Sequence, residues 1–401
     1  MCYMRHNLSD DGSPQRKQGD GTPRRGPLLA LRAPNQSILW CIALLFLTAR
    51  SGVGETIVLR GAAQGTTYHI KYVAPTKAVD QRQLQVEVEK VLAEIDRQMS
   101  TYRNDSEISE FNRAAAGKWF SVSPGVVEVV AAAQAISEKT GGAMDVTVGP
   151  LVRLWHFGPK ENLKRLKNGK TPSPTTLPKG EGFKPPTEEQ LEDVRARVGY
   201  KLLEVRATPP SLRKKVDGLE VDLSSIASGY TIDRLAGLMQ EHGIKNFMVE
   251  LGGEVRAAGK REDGEPWRIA IERPIVDKRE MEAAVPLVNA ALATAGGTHK
   301  FFEYQGKRYS HIIDPSTGRP VEHALASVLV AADTCLEADG WDTPLTVLGP
   351  ERGMKCAEKN GIAAMFIAPA ENSDGADVVQ TTKAWRERFG SRDKTKHQTG
   401  K

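Results

Sequence analysis

A chain of 401 residues with 40% apolar content is long enough for one large domain or two average ones, and can bury a sizeable core. Its formal charge of +5 belongs to its ends: residues 1–50 carry seven Lys/Arg against three acids and residues 383–401 seven against two, leaving residues 51–382 at −4. That balance argues against a nucleic-acid partner, and four cysteines without a CxxC spacing argue against a disulfide framework or a thiolate metal site.

Residues 9–27 are rich in Gly, Pro and Arg and read as disordered. Residues 38–48 form an uncharged apolar run with Arg24, Arg25 and Arg32 before it and Arg50 after it. Eleven such residues fall short of the ~20 that span a bilayer, yet suit the apolar core of a secretory signal. Residues 1–54 are therefore expected to be a disordered basic segment plus signal peptide, and the protein to be exported to the periplasm. Cys41 lies inside the apolar run, whereas a lipid anchor needs a cysteine after it, so a soluble exported form is expected, at most associated with the inner membrane.

From Glu55 onward helix and strand patterns alternate. Residues 56–60 and 68–73 read as a strand pair. Residues 80–99 place Leu84, Val88, Val91, Leu92, Ile95 and Met99 on one helical face, a core stripe. Ser123-Pro124 opens a second helix and Gly141-Gly142 closes it. Residues 160–187, with five prolines among Lys and Gly, read as a surface insertion. A third helix is expected over 228–242, followed by strands at 247–251, 267–271, 308–313, 325–332 and 363–368. Two more helices, one carrying Asp339 and one over 351–359, fall between the last two strands. Residues 383–401 read as a basic tail. This irregular interleaving favours an α+β domain over 55–382 rather than a doubly wound sheet.

The residues that bear chemistry fall in blocks. Asp339 and Thr343 are four apart, so a helix puts their oxygens on one face, a hard-donor pair suited to Mg²⁺ near phosphates. A lone pair of this kind is a weak signal. The other blocks are Ser100-Thr101-Tyr102 with Phe111-Asn112, Ala143 to Val152 with Trp155 and Phe157-Gly158-Pro159, Asp222 to Tyr230, Glu250-Leu251-Gly252-Gly253-Glu254, Ser310-His311-Ile312-Ile313-Asp314-Pro315, and Glu337 to Thr343.

In that order the blocks resemble the ApbE family, the FAD:protein FMN transferases, over roughly residues 55–370. The resemblance implies a single large α+β domain, T-fold-like, of two intertwined subdomains. It also implies a Mg²⁺-dependent reaction in which FAD is cleaved at its pyrophosphate, FMN passes to a threonine of a target protein, and AMP leaves. By the same resemblance, Ser225, Asp339 and Thr343 match metal positions, and Gln64, Tyr102, Ala143, Met144, Asp145, Asp222, Ser228 and Ile313 match cofactor positions. His311 matches a catalytic position, and an imidazole can accept a proton at neutral pH. Asp314 either orients His311 or shapes the turn at Pro315; Asp145 and Asp222 have similar turn or cap readings, and Tyr102 a core reading.

The chain also departs from the family pattern. Ser228 replaces a charged residue before Gly229, Gln64 replaces a methionine, and Thr294-Ala295-Gly296-Gly297-Thr298-His299 lacks a hydroxyl and an aromatic ring. Pro344 follows Thr343 and removes a helix hydrogen bond. Two other activities therefore stay open: FAD hydrolysis to FMN and AMP, and flavin binding without turnover. The acceptors implied are threonine motifs on subunits of membrane redox complexes, with peripheral membrane contact through 160–187 and the basic tail as a further expectation.

Overall fold

The inner strands of the central sheet alternate their side chains between two apolar layers, and that alternation sets the architecture. The computed structural model describes residues 54–158, 184–272, 281–296, 301–323, 325, 327–369 and 377–390. Its main sheet has eight antiparallel strands in chain order: β1 (Thr56–Ala63), β2 (Thr66–Val73), β3 (Phe247–Leu251), β4 (Glu254–Ala258), β5 (Ala290–Gly296), β6 (Ser327–Ala332), β7 (Ala363–Ala368) and β8 (Val378–Thr381).

In β6, Val328, Val330 and Ala332 enter one apolar cluster, while Leu329 and Ala331 enter the other. Strand β7 divides likewise, Ala364 and Phe366 against Ala363, Met365 and Ile367. A strand covered on both faces is apolar at every position, which is why 325–332 is so legible. The first layer is helical: α1 (Gln81–Met99), α3 (Pro124–Thr140), α6 (Ala227–Glu241) and α7 (Cys335–Asn360) all contribute to it. The second is made by a hairpin, Trp267–Glu272 with Met281–Leu287, and by α8 (Lys383–Phe389).

Helix ends follow local chemistry. The Asp80 carboxylate caps α1 by accepting from the N–H groups of Arg82 and Gln83. Pro124 begins α3, and Gly141, at φ 66°, ends it. The shorter helices are α2 (Glu107–Arg113), α4 (Gly149–Leu154) and α5 (Glu188–Arg195), the last opened by a Thr187–Gln190 capping box. Between β1 and β2 the turn residues Gln64 and Gly65 both have positive φ, 51° and 78°, as a tight twisted hairpin requires.

Several sequence expectations are corrected. The insertion ends earlier than 187, because Thr187 already caps α5; residues 160–183 of it lie outside the described residues, as does the apolar run 38–48. The strand expected over 308–313 is broken: Lys307–Ser310 pairs with Phe301–Tyr304, and Ile313–Asp314 pairs separately with Arg319–Pro320. Between them Ser310 Oγ accepts from the Ile312 N–H, which turns the chain at His311. The two helices expected around 340–359 are both present within α7, separated by the non-helical Gly349, φ 76°. The basic tail does not begin at 383. Residues 383–389 are α8, and its Trp385 is 2% exposed in the second layer. Burying an aromatic of that size is worth several kcal/mol at ~25 cal/mol per Å². The described residues all belong to one unit, and among them no helix is long and apolar enough to cross a membrane.

Candidate functional site

The first turn of α6 meets the first turns of α7 at very short range. The Gly229 N–H donates to Asp339 Oδ2 at 2.7 Å. A Cβ on Gly229 would lie 2.3 Å from the Cys335 carbonyl oxygen and 2.7 Å from the Asp339 Cβ, so only glycine permits this approach. The opposing helix end is capped from the same side. Asp233 on α6 accepts from the N–H groups of Cys335 and Leu336, both at 2.9 Å, and pairs with Arg256 at 2.6 Å.

Asp339 is 5% exposed and Asp342 2%, side by side on α7. Burial pushes the Asp339 carboxyl up to about 7, against the lowering effect of the Gly229 bond and with Asp233 adding to the rise. Burial, then the Asp339 charge, then Glu254 raise Asp342 further. Thr343 Oγ1 donates to Asp342 Oδ1 at 3.1 Å. Asp342 is the residue that sequence reasoning passed over. Its signal was present, since a carboxylate three positions after Asp339 shares its helical face. Ser225 lies in the turn leading into α6, and Ser228 in the first turn of that helix. Gly340 also sits close to this turn, its missing Cβ 3.1 Å from Ile226 Cδ1.

Gln64 joins the same corner. From the β1–β2 turn its Nε2 donates to Thr231 Oγ1 at 2.8 Å, and that hydroxyl donates to the Ala227 carbonyl at the start of α6. Asp222 is reached from the other side. Its N–H donates to the Val146 carbonyl at 2.7 Å, which lays the 219–222 segment beside the Ala143–Met144–Asp145 stretch. The Asp222 carboxylate accepts from the Ser224 N–H at 3.0 Å and from its hydroxyl.

Ala143 is 9% exposed and Met144 1%. Asp145 accepts from the Thr147 N–H and hydroxyl through Oδ1, and from the Tyr200 N–H through Oδ2 at 2.8 Å. Burial raises its pKa against those three bonds. Ala143 packs with Ile312 and Val347, with Val321 and Leu348 around them, so a small apolar cluster brings the 143, 312 and α7 segments together.

His311 follows the Lys307–Ser310 strand, and its ring meets Phe157 edge-on at 6.2 Å. Asp314 Oδ1 accepts from the Ser316 N–H at 2.8 Å and from its hydroxyl at 2.6 Å, a turn-forming arrangement. Trp155 Nε1 and Arg195 Nη2 hold that turn through the carbonyls of Gly318 and Ser316, at 2.7 and 2.8 Å. Ile313 packs with Leu151, Trp155 and Phe302, in a different cluster from Ile312. Tyr102 is 51% exposed just past α1, its N–H donating to Ser100 Oγ. Thr294, Ala295 and Gly296 lie in β5, while 297–299 lie outside the described residues.

Among the described residues no three His, Cys, Asp or Glu side chains converge as a metal cage. The donor set offered is instead two buried carboxylates with a threonine hydroxyl, a hard oxygen set suited to a small divalent cation.

Comparison with known proteins finds relatives over most of the chain. The ApbE family model matches residues 64–366. An FAD:protein FMN transferase of Vibrio cholerae is 42% identical over 336 residues, 83% of this chain and 94% of that protein. One from Haemophilus influenzae is 39% identical over 333 residues, 82% of this chain and 91% of that one. Among solved structures, the flavin transferase ApbE of Vibrio cholerae superposes with a TM-score of 0.72 at 40% identity, covering 84% of this chain and 99% of that one. The Pseudomonas stutzeri flavinyl transferase ApbE in its apo form gives 0.73 at 37%, covering 84% and 98%.

Proposed function

The chain belongs to the ApbE family and is an FAD:protein FMN transferase; we propose that it works with Mg²⁺, attaches FMN through a phosphoester to a threonine of a target protein, and releases AMP. The observation that carries the finer reading is the buried pair Asp339 and Asp342. Two carboxylates taken out of water side by side, with Asp339 raised to about 7, are costly to ionise unless a cation joins them.

The residues therefore fit a divalent ion, with Asp339, Asp342 and Thr343 as donors and Ser225 as a further oxygen. Bound Mg²⁺ would neutralise charge on the diphosphate of FAD. The chain supplies the rest. The start of α6, with Ser228 in its first turn, offers its dipole to an anion. Asp222 and the 143–145 stretch, locked to each other by the Asp222–Val146 bond, form one wall for the flavin nucleotide. His311 accepts the threonine proton as the oxygen attacks the FMN phosphorus. The P–O bond to AMP breaks, and AMP carries away the bonding pair. Phe157 fixes one side of the imidazole, and the Asp314 turn fixes the chain beyond it.

The acceptor is taken to be a flavinylation motif on a subunit of a membrane redox complex, met after export to the periplasm. The apolar run 38–48 supports export, and the cationic residues around 160–187 support peripheral membrane contact. The test is to incubate the protein from Glu55 onward with FAD, Mg²⁺ and an acceptor peptide carrying a threonine, and to read masses and nucleotides. FMN mass on the peptide with AMP released, both lost under EDTA, is the expected result. Free FMN and AMP without peptide modification would make it a hydrolase, and intact bound FAD a binder.

A further inference from the structure

Lys214 is 1% exposed, on the strand Ser211–Lys214 that runs between Phe120–Ser121 and Leu203–Arg206. The sheet turns Leu212 and Lys214 inward, opposite Val205 and Leu203. An ammonium placed there would be expected to meet a carboxylate. Among the described residues none makes an ion pair with it, and Asp217 acts on it only through space. Its Nζ instead donates to the Asn112 carbonyl at 3.0 Å and to the Leu219 carbonyl at 3.4 Å, 5.4 Å from the centre of the Phe111 ring. Burial lowers its pKa.

Those two carbonyls are the ends of a scaffold. Asn112 uses both ends of its amide on one backbone unit: Nδ2 donates to the Val221 carbonyl and Oδ1 accepts from the Val221 N–H, each at 2.8 Å. The irregular segment 219–222 is thus held residue by residue. The Leu219 carbonyl goes to Lys214, Glu220 bridges Val148, both Val221 groups go to Asn112, and the Asp222 N–H goes to Val146. A segment outside the regular helices and strands needs such bonds to keep one conformation.

We propose that Lys214 and Asn112 are positioning residues for the flavin nucleotide, fixing the 219–222 backbone so that Asp222 meets FAD in a set geometry. The proposal rests on the reading of Asp222 as a FAD contact given above. Lys214 touches no reacting atom; it acts through the Asn112 and Leu219 carbonyls.

The test uses the full chain with Lys214→Met, which keeps an unbranched chain one atom shorter and removes its donors. FAD dissociation constants come from quenching of flavin fluorescence, transfer rates at saturating FAD from peptide mass, and folding from thermal melts. The folded variant is expected to bind FAD about tenfold more weakly while transferring at a near-normal rate once saturated. Asn112→Ala, which removes only the two Val221 bonds, is expected to act in the same direction, and the double variant to lose less than the two single losses combined. FAD affinity unchanged in folded Lys214→Met overturns the proposal, as does a slower saturated rate with affinity intact. If Lys214→Met does not fold, Asn112→Ala decides alone by the same criterion. Failure of the unaltered protein to bind FAD would instead sink the assigned cofactor site, a separate outcome.

Discussion

The Gly229 N–H and the Asp339 carboxylate oxygen are 2.7 Å apart, joining the first turn of α6 to the chemistry-bearing turn of α7. One carboxylate oxygen thus serves a helix N-terminus, and the proposed cation would take the other. Asp339→Asn separates these duties. A carboxamide still accepts from Gly229, but it carries no buried charge. The metal-free variant is expected to be more stable than the unaltered protein by about 1 kcal/mol, to show no Mg²⁺-dependent rise in melting temperature, and to lose metal-dependent transfer. Thermal melts with Mg²⁺ or EDTA check all three. A retained Mg²⁺ shift would remove Asp339 from the metal site.

The same contact makes Gly229 irreplaceable for a steric reason. In Gly229→Ala the new methyl would meet the Cys335 carbonyl oxygen at 2.3 Å, so α6 and α7 must separate. Overpacking of this kind costs about 1–3 kcal/mol, and the bond to Asp339 stretches with it. Chemical denaturation should show that loss, together with weaker Mg²⁺ binding by calorimetry. Stability equal to that of the unaltered protein would mean the helices close less tightly than described.

Local rules account for what the sequence revealed. The α1 stripe, the Pro124 and Gly141 ends of α3 and the apolar β6 and β7 were legible because each follows from neighbours within a few residues. Strand β4, Glu-Val-Arg-Ala-Ala, and the Ala-rich β5 were not, since Ala and charged residues carry little strand preference and only the sheet on either side holds them. In the site, the sequence places Asp339 and Thr343 one helical turn apart on α7. Asn112 holding Val221 across 109 residues, and Lys214 holding Asn112 across 102, leave no periodic trace. Asp342 shares a helical face with Asp339, but the burial of both carboxylates, which makes the pair matter, is not written in the spacing.

His311 and Asp314 can be told apart by paired amides. His311→Asn is expected to keep FAD binding while slowing transfer by about 10²-fold or more, the range for a lost general base. Asp314→Asn retains an oxygen for the Ser316 N–H and hydroxyl, so it should cost no more than about 1 kcal/mol, a fewfold change in rate. Single-turnover transfer at saturating FAD gives both numbers. An Asp314→Asn loss as large as that of His311→Asn would move the carboxylate from shaping the turn to handling the proton.

Proline 350 leaves the Thr346 carbonyl without its helical donor, and His323 supplies one. Its Nε2–H donates to that oxygen at 2.7 Å, while Nδ1 accepts from the Leu325 N–H at 3.3 Å. A carbonyl only accepts and an amide N–H only donates, so this imidazole is neutral with its proton on Nε2. Burial holds its pKa below the usual 6.5, outweighing the help of the Thr346 carbonyl. In the unfolded chain the ring takes up a proton near 6.5, whereas in the folded protein it does so only at lower pH. The His323 contribution is therefore fully present above 6.5 and is lost as pH falls through the folded value. His323→Leu should cost about 1–2 kcal/mol at pH 8, and its deficit relative to the unaltered protein should shrink at pH 5.5. Urea melts at the two pH values measure it. A deficit of the same size at both would mean that His323 is not held neutral against α7.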